Sequence, residues 1–157
     1  MELDARAFRA TLGMFATGVT VISAQTDREI HGMTANAVTS VSLDPLLLLV
    51  CVDRRARMAG AITAAGQFAV SILRDDQEGV SRHFAGQPGP VVQPAFAPLG
   101  PAHRLEDCMA AMACATERVF DGGDHIIVLA QVTALWHADV RGDPLLYFGG
   151  RYRQIAP

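Results

Sequence analysis

The 157-residue chain predicts a mainly β fold, an antiparallel barrel with a few peripheral helices, and three observations point there. β-prone segments follow one another through tight turns (TDRE, GGD, GG) as hairpins, not as alternating strand–helix units. One unbroken apolar run, LLLLVCV from Leu46 to Val52, lies mid-chain and is long enough for a strand, too short for most helices. No GxGxxG follows any strand, which removes the fingerprint of a doubly wound dinucleotide fold. The expected count is six or seven strands with two or three helices, in a single domain over residues 1–157 without internal repeats.

Each element has its own signal. Residues 4 to 16, DARAFRATLGMFA, place Phe8, Leu12 and Phe15 at helical spacing behind Asp4 as an N-cap. The stretch GVTVISAQTDREIHGMTANAVTSVS alternates β-branched and small polar residues around TDRE, the pattern of a hairpin. After Asp44-Pro45, the run LLLLVCV shows no polar alternation, which predicts a central strand buried on both faces. RRARMAGAITAAGQ is Ala-rich and stops at Gly66, hence a short helix capped by that glycine. FAVSILRDD reads as a strand, and DQEGVSRHFAG as a short helix. Residues 88 to 101 hold five of the eight prolines, which predicts an extended loop, since proline donates to no ladder. From Arg104 the pattern is β again: LEDCMAAMACATERVF, a GGD turn, HIIVLAQVTALWHADV, then PLLYFGG and RYRQI set apart by glycines.

Composition excludes several functions. Half the residues are hydrophobic and 18% are charged, so the chain carries enough apolar surface for a substantial core. A net charge of −3 argues against nucleic-acid binding. The longest apolar run falls far short of the ~20 residues of a membrane span. Glu2, Asp4, Arg6 and Arg9 interrupt any signal-peptide core, so no membrane association and a cytoplasmic location are expected. Cys51, Cys108 and Cys114 form no CxxC pair and read as reduced thiols. All 13 cationic side chains are Arg; without lysine there is no Schiff base and no P-loop. Five scattered histidines form no HxxxH or HExxH element, and no metal site, triad or carboxylate pair is apparent.

Two segments carry candidate chemistry. In GMTANAVTSVSLDP, Asn36, the only asparagine, sits among Thr34, Thr39, Ser40 and Ser42 beside the core. Such groups either bond neighbouring backbone in a turn or match a planar polar ligand, of which a flavin ring is one. In CVDRRARM, Arg54, Arg55 and Arg57 cluster where a strand ends and a helix begins. That is either an exposed basic turn or an anion site, with guanidinium groups and free backbone N–H groups at one spot.

FRATLGMFATGVTVISA, GMTANAVTSVSLDPLLLLVCVDRRARM, RHFAG, GDHIIVLAQV and PLLYFGGRYRQI occur in an order and spacing that resembles the short-chain flavin reductases, the reductase components of two-component flavin monooxygenases. The resemblance runs from Phe8 to Ile155; the proline-rich loop has no counterpart in it. It implies a Greek-key split β-barrel, usually a homodimer, that binds FMN or FAD and takes hydride from NADH or NADPH. It further implies a separate flavin-dependent monooxygenase that receives the reduced flavin.

By position, Met33, Thr34, Ala35 and Asn36 line the isoalloxazine on this resemblance, with Ser40 near the ring or ribityl chain. Cys51, Val52, Asp53, Arg54, Arg55, Ala56 and Arg57 lie along the ribityl phosphate, and Phe84 borders the flavin. His125 and Tyr152 face the nicotinamide; no residue is singled out as catalytic. Two positions depart from the pattern: relatives often have Ser at Arg55 and Arg at His83. Hydride transfer between two cofactors needs stacking, orientation and water exclusion from the protein, which agrees with the missing acid–base motifs. The alternative is a non-catalytic flavin-binding or sensor module on the same barrel, with pyridoxamine-phosphate-oxidase-like or haem-binding relatives further off.

Overall fold

The structure, a computed structural model, describes residues 3–139 and 142–156. Twelve strands are present among them, more than the six or seven expected, because the turns between the long strands carry short ones of their own. Every pairing is antiparallel, as predicted.

Helix α1 (Ala5–Leu12) starts where expected: the Asp4 carboxylate accepts the Ala7 N–H at 2.7 Å. Short β1 (Thr17–Gly18) follows. Strands β2 (Thr20–Gln25) and β3 (Ile30–Ala35) form the predicted hairpin, closed by the Thr26 N–H on the Glu29 carbonyl at 2.8 Å. Strands β4 (Val38–Leu43) and β5 (Leu46–Asp53) form the next one. Helix α2 (Arg57–Ala65) ends at Gly66, whose φ of +67° is the left-handed cap that favours glycine. Strand β6 (Gln67–Ile72) leads through a 3-10 turn (Asp75–Gln77) to α3 (Glu78–Phe84).

The proline-rich segment is extended only as far as Ala95. Strands β7 (Phe96–Leu99) and β8 (Ala102–Leu105) then pair, so the expected loop is a ribbon at its end. Pro98 fits there because this ribbon has only two strands, and a residue on its outer edge needs no ladder N–H. The long hairpin β9 (Ala110–Gly122) and β10 (His125–His137) turns at Gly123-Asp124, and β11 (Leu146–Phe148) and β12 (Arg151–Arg153) form a short tongue. Val140, at the end of the expected HIIVLAQVTALWHADV strand, lies outside the described residues.

Seven strands form one sheet in the order β3-β2-β6-β9-β10-β5-β4. Its two edge strands, β3 and β4, are consecutive in sequence and joined by only Asn36 and Ala37. Three Cα steps reach at most about 11 Å, so the sheet must curl back on itself. The two edges share no ladder, and the barrel is split along the line where Asn36 crosses.

One apolar cluster fills the barrel: Ile22, Leu48, Val50, Val52, Phe68 and Val128, with Met58 and Ile62 of α2 inserted among them. A second cluster covers the outside of β2, β6 and β9, where Val19, Val21, Leu73, Leu105 and Leu145 pack with the β7–β8 ribbon, α3 and the tongue. The strands buried on both faces are therefore β2 and β6. β5, expected to be so, is buried on one face only: Leu48, Val50 and Val52 point inward while Leu47, Leu49 and Cys51 are half exposed. The period of two along a strand produces this split, and among the described residues the outer face is covered only in part, across a cleft from Phe8, Leu12 and Phe15. α1 is bare in the same way. None of its residues is buried; Phe8 is 62% exposed, and Phe15, just beyond the helix, is 73% exposed. No described helix is long and apolar enough to cross a membrane.

Candidate functional site

The crossing between the two edge strands opens onto a cleft. Its floor is Asn36, Ala37, Val38 and Thr39, with Leu49 and Cys51 of β5 alongside. α1 and its continuation supply Phe8, Leu12 and Phe15, and the tongue supplies Tyr147 and Gly150. The cavity measures about 640 Å³, within the range of cofactor sites. At the split the Ala37 carbonyl accepts the Cys51 N–H at 3.0 Å, and the Asn36 amide donates to Thr17 Oγ1 at 3.2 Å.

A recess of about 140 Å³ adjoins the cavity, sharing Asn36 and Tyr147 with it. Thr34 and Ala35 form one side, Tyr152 the other, and Ser81 and Ala85 of α3 also line it. Tyr152 and Tyr147 meet edge to face with centroids 5.4 Å apart. The tongue turns on Gly149 and Gly150, both at positive φ (+58° and +75°), which is why two glycines stand between the tyrosines.

Of the residues named from the sequence, Thr34, Ala35, Asn36, Cys51 and Tyr152 come together here. Met33 faces the other way and packs on the barrel core. The side chain of Val52 is fully buried inside the barrel, so it can offer a ligand only its backbone. Ser40 is exposed on β4 and lines neither space. Phe84 lines neither; its ring lies so close over Gly32 that a Cβ there would overlap it, and Phe96 backs it at 6.1 Å. The glycine of GMTAN is thus required by the packing of α3 on β3.

The arginines gather further along β5, at the barrel rim. Arg54 donates to Gly123 O at 2.8 Å and to Asp121, Arg55 pairs with Asp53 at 2.9 Å, and Arg57 with Glu29 at 2.7 Å. Donation from Arg55 holds the Asp53 carboxyl at about 2. Ala56 is the N-cap of α2 and leaves its first turn without a side-chain cap. His125 stands opposite Asp53 in register on β10, and its Nδ1 lies 2.7 Å from Asp124 Oδ1. That contact lowers the pKa of Asp124. Ile127 pairs with Cys51, so by alternation His125 shares the face of the sheet that carries Cys51.

Burial raises the pKa of the thiols of Cys51, Cys108 and Cys114, the last to about 12, so none offers a thiolate nucleophile near neutral pH. No cluster able to hold a metal ion occurs among the described residues. The donor set fits a planar heterocycle: an amide and hydroxyls at one edge, apolar and aromatic walls around it. Sequence reasoning missed Tyr147 and Ser81 and read Phe8, Leu12 and Phe15 only as the apolar face of a helix. The signals were the double glycine beside Tyr147 and an apolar helix face larger than one small barrel can cover.

Fold and cleft together describe a split barrel with an open seam whose lining suits a flat heterocycle. Residues 12–156 match the model of the flavin reductase like domain, and the chain belongs to that family. It is 39% identical over 150 residues to the NADH-dependent flavin reductase of a Rhodococcus species, covering 94% of this chain and 84% of that protein. It is 38% identical to the reductase component of 4-hydroxyphenylacetate 3-monooxygenase from Thermus thermophilus, covering 95% of each. The solved structure of flavin reductase PheA2 superposes with a TM-score of 0.93 at 41% identity, over 99% of this chain and 100% of that one.

Proposed function

We propose that this chain is an NADH:flavin oxidoreductase that reduces FMN or FAD and supplies the reduced flavin to a separate flavin-dependent monooxygenase. The observation that carries this reading is the match of nearly the whole chain to reductases named for that activity, with the MTAN strand and its cleft at the seam of the barrel. A bound flavin supplies the hydride acceptor and NADH the hydride; the side chains supply place and surroundings.

In this reading Asn36, Thr34 and the backbone around Ala35 hold the polar edge of the ring, with Met33 anchoring that strand in the barrel core and Phe84 packing over Gly32 on its other face. Leu49, Cys51 and Phe15 meet its apolar part, and Ser40 flanks the seam. Backbone from Val52 to Ala56, with Arg54, Arg55 and Arg57, receives the phosphate. Their present carboxylate pairs are open to solvent and leave N–H groups for a dianion. His125 and Tyr152 orient the nicotinamide, and Tyr147 keeps water from the faces of the rings.

The chain works as one domain, in the cytoplasm, where its reduced cysteines and its nicotinamide donor belong. It works as a homodimer, whose second copy covers the bare α1 face and the outer side of β4 and β5. The test is steady-state NADH oxidation with added FMN or FAD. Flavin-dependent acceleration is expected; flavin binding without acceleration would leave a non-catalytic flavin module.

A further inference from the structure

Ser81 does an unusual thing for a serine inside a helix. Its side chain is fully buried. A helical serine ordinarily bonds back to its own helix or faces solvent. Here Oγ lies 2.8 Å from the Tyr152 hydroxyl on the tongue, 71 residues away in sequence. Its carbonyl accepts the Thr34 hydroxyl at 2.6 Å as well as the ordinary helical N–H of Ala85 at 3.0 Å. Thr34 and Tyr152 line the same recess. One residue thus bonds, through two different atoms, to strand β3 and to strand β12.

The helix bearing it is held against movement. Arg82 lies over the Tyr152 ring at 5.2 Å and is steadied by Glu78 at 2.8 Å. The proline-rich segment packs on this helix as well. Pro90 sits so close over Gly79 that a Cβ there would come within 2.9 Å of it, and one at Gly89 would come within 3.2 Å of Arg82. The prolines act as a stiff strap that seats on α3.

We infer that Ser81 is a positioning residue for the nicotinamide side of the cleft. It holds Tyr152 at a set distance from Thr34, so that the recess keeps the width required by the donor. The inference rests on the flavin reductase reading. Ser81→Ala removes only the hydroxyl of Ser81, and Tyr152→Phe removes only its partner.

Each is expected to lower kcat/KM for NADH about two- to tenfold, the range for one neutral hydrogen bond, mainly through KM. The flavin Kd and the thermal midpoint should stay near wild type. The double variant should be no worse than either single one, because both remove the same bond. Wild-type kcat/KM in Tyr152→Phe, multiplicative losses in the double variant, or a loss confined to kcat with a lowered thermal midpoint would each overturn the inference. If Ser81→Ala fails to fold, Tyr152→Phe alone decides. An inactive wild-type chain would defeat the reductase reading itself, whereas an active wild type with unaffected variants would defeat only the role of Ser81.

Discussion

From Phe68 to Ser71, strand β6 is buried on both faces with Ala69 and Ser71 on one of them; strand β5 is apolar from Leu46 to Val52 and is covered on one face only. The two are neighbours of the same hairpin, β6 beside β9 and β5 beside β10. On β6 the small residues let the β7–β8 ribbon approach, and the Ser71 hydroxyl accepts the Leu105 N–H at 3.0 Å. Ser23 on β2 does the same work by donating to His103 O at 2.5 Å. On β5 the outward side chains are large, apolar and half exposed. Apolar character beyond what a chain covers by itself marks a surface for something else, here on our proposal a cofactor and a second copy.

Adjacent leucines on β5 test the contrast most severely. Leu48 is 4% exposed in the barrel core, and Leu48→Ala should cost about 2–5 kcal/mol in urea unfolding. Leu49 lines the cleft, and Leu49→Ala should cost about half of that or less while weakening flavin several-fold. Equal stability losses at both positions would mean that the outer face of β5 is core after all.

The bare helix offers the next test. Phe8→Glu with Leu12→Glu places charge where a second copy is proposed to sit, while leaving the Asp4 cap and the barrel intact. Light scattering at micromolar concentration should move from about twice 16.8 kDa to 16.8 kDa. A wild type already monomeric, or a variant still dimeric, would remove α1 from the interface.

The hairpins, the glycine-capped helix and the antiparallel barrel were legible because each rests on local chemistry: alternation, a cap, a tight turn. The covering of β5 was not, since an apolar run reads alike whether its second face meets this chain or a ligand. Asn36 was legible as unusual, being alone of its kind, but its position at the seam depends on the closure of the whole sheet. Ser81 and Tyr147 were invisible because their partners lie far off in sequence. The arginines lie close together in sequence and were legible as a group; the carboxylates of Glu29, Asp53 and Asp121 that pair with them come from three separate strands or their ends and could not be matched from spacing.

Those pairs lead to the third test. Replacing Arg54, Arg55 and Arg57 by Gln together should weaken FMN roughly ten- to hundredfold, the effect of losing one charge-assisted bond or two. Riboflavin, which lacks the phosphate, should bind as before. Of the carboxylates left behind, Asp121 and Glu29 are exposed and Asp53 is partly so, and all three keep access to water. Equal weakening of both ligands would show that the cluster braces the rim and does not hold phosphate.

The smallest effect is expected at His125, where the rim and the outer face of β5 meet. Its ring is tied through Nδ1 to Asp124, leaving Nε2 and the ring faces for a ligand. Along β10 it lies two residues, about 7 Å, beyond Ile127, the partner of Cys51 in the cleft. An imidazole so placed can orient a carboxamide without exchanging a proton with it. His125→Ala should therefore lower kcat/KM for NADH about tenfold, an orientation effect, and leave the flavin Kd nearly unchanged. Asp124→Ala, which frees the ring without removing it, should fall between wild type and His125→Ala. Flavin titration and stopped-flow reduction on the same preparations separate the two quantities. Reduction at the wild-type rate in His125→Ala would mean that the histidine is only the first residue of a strand.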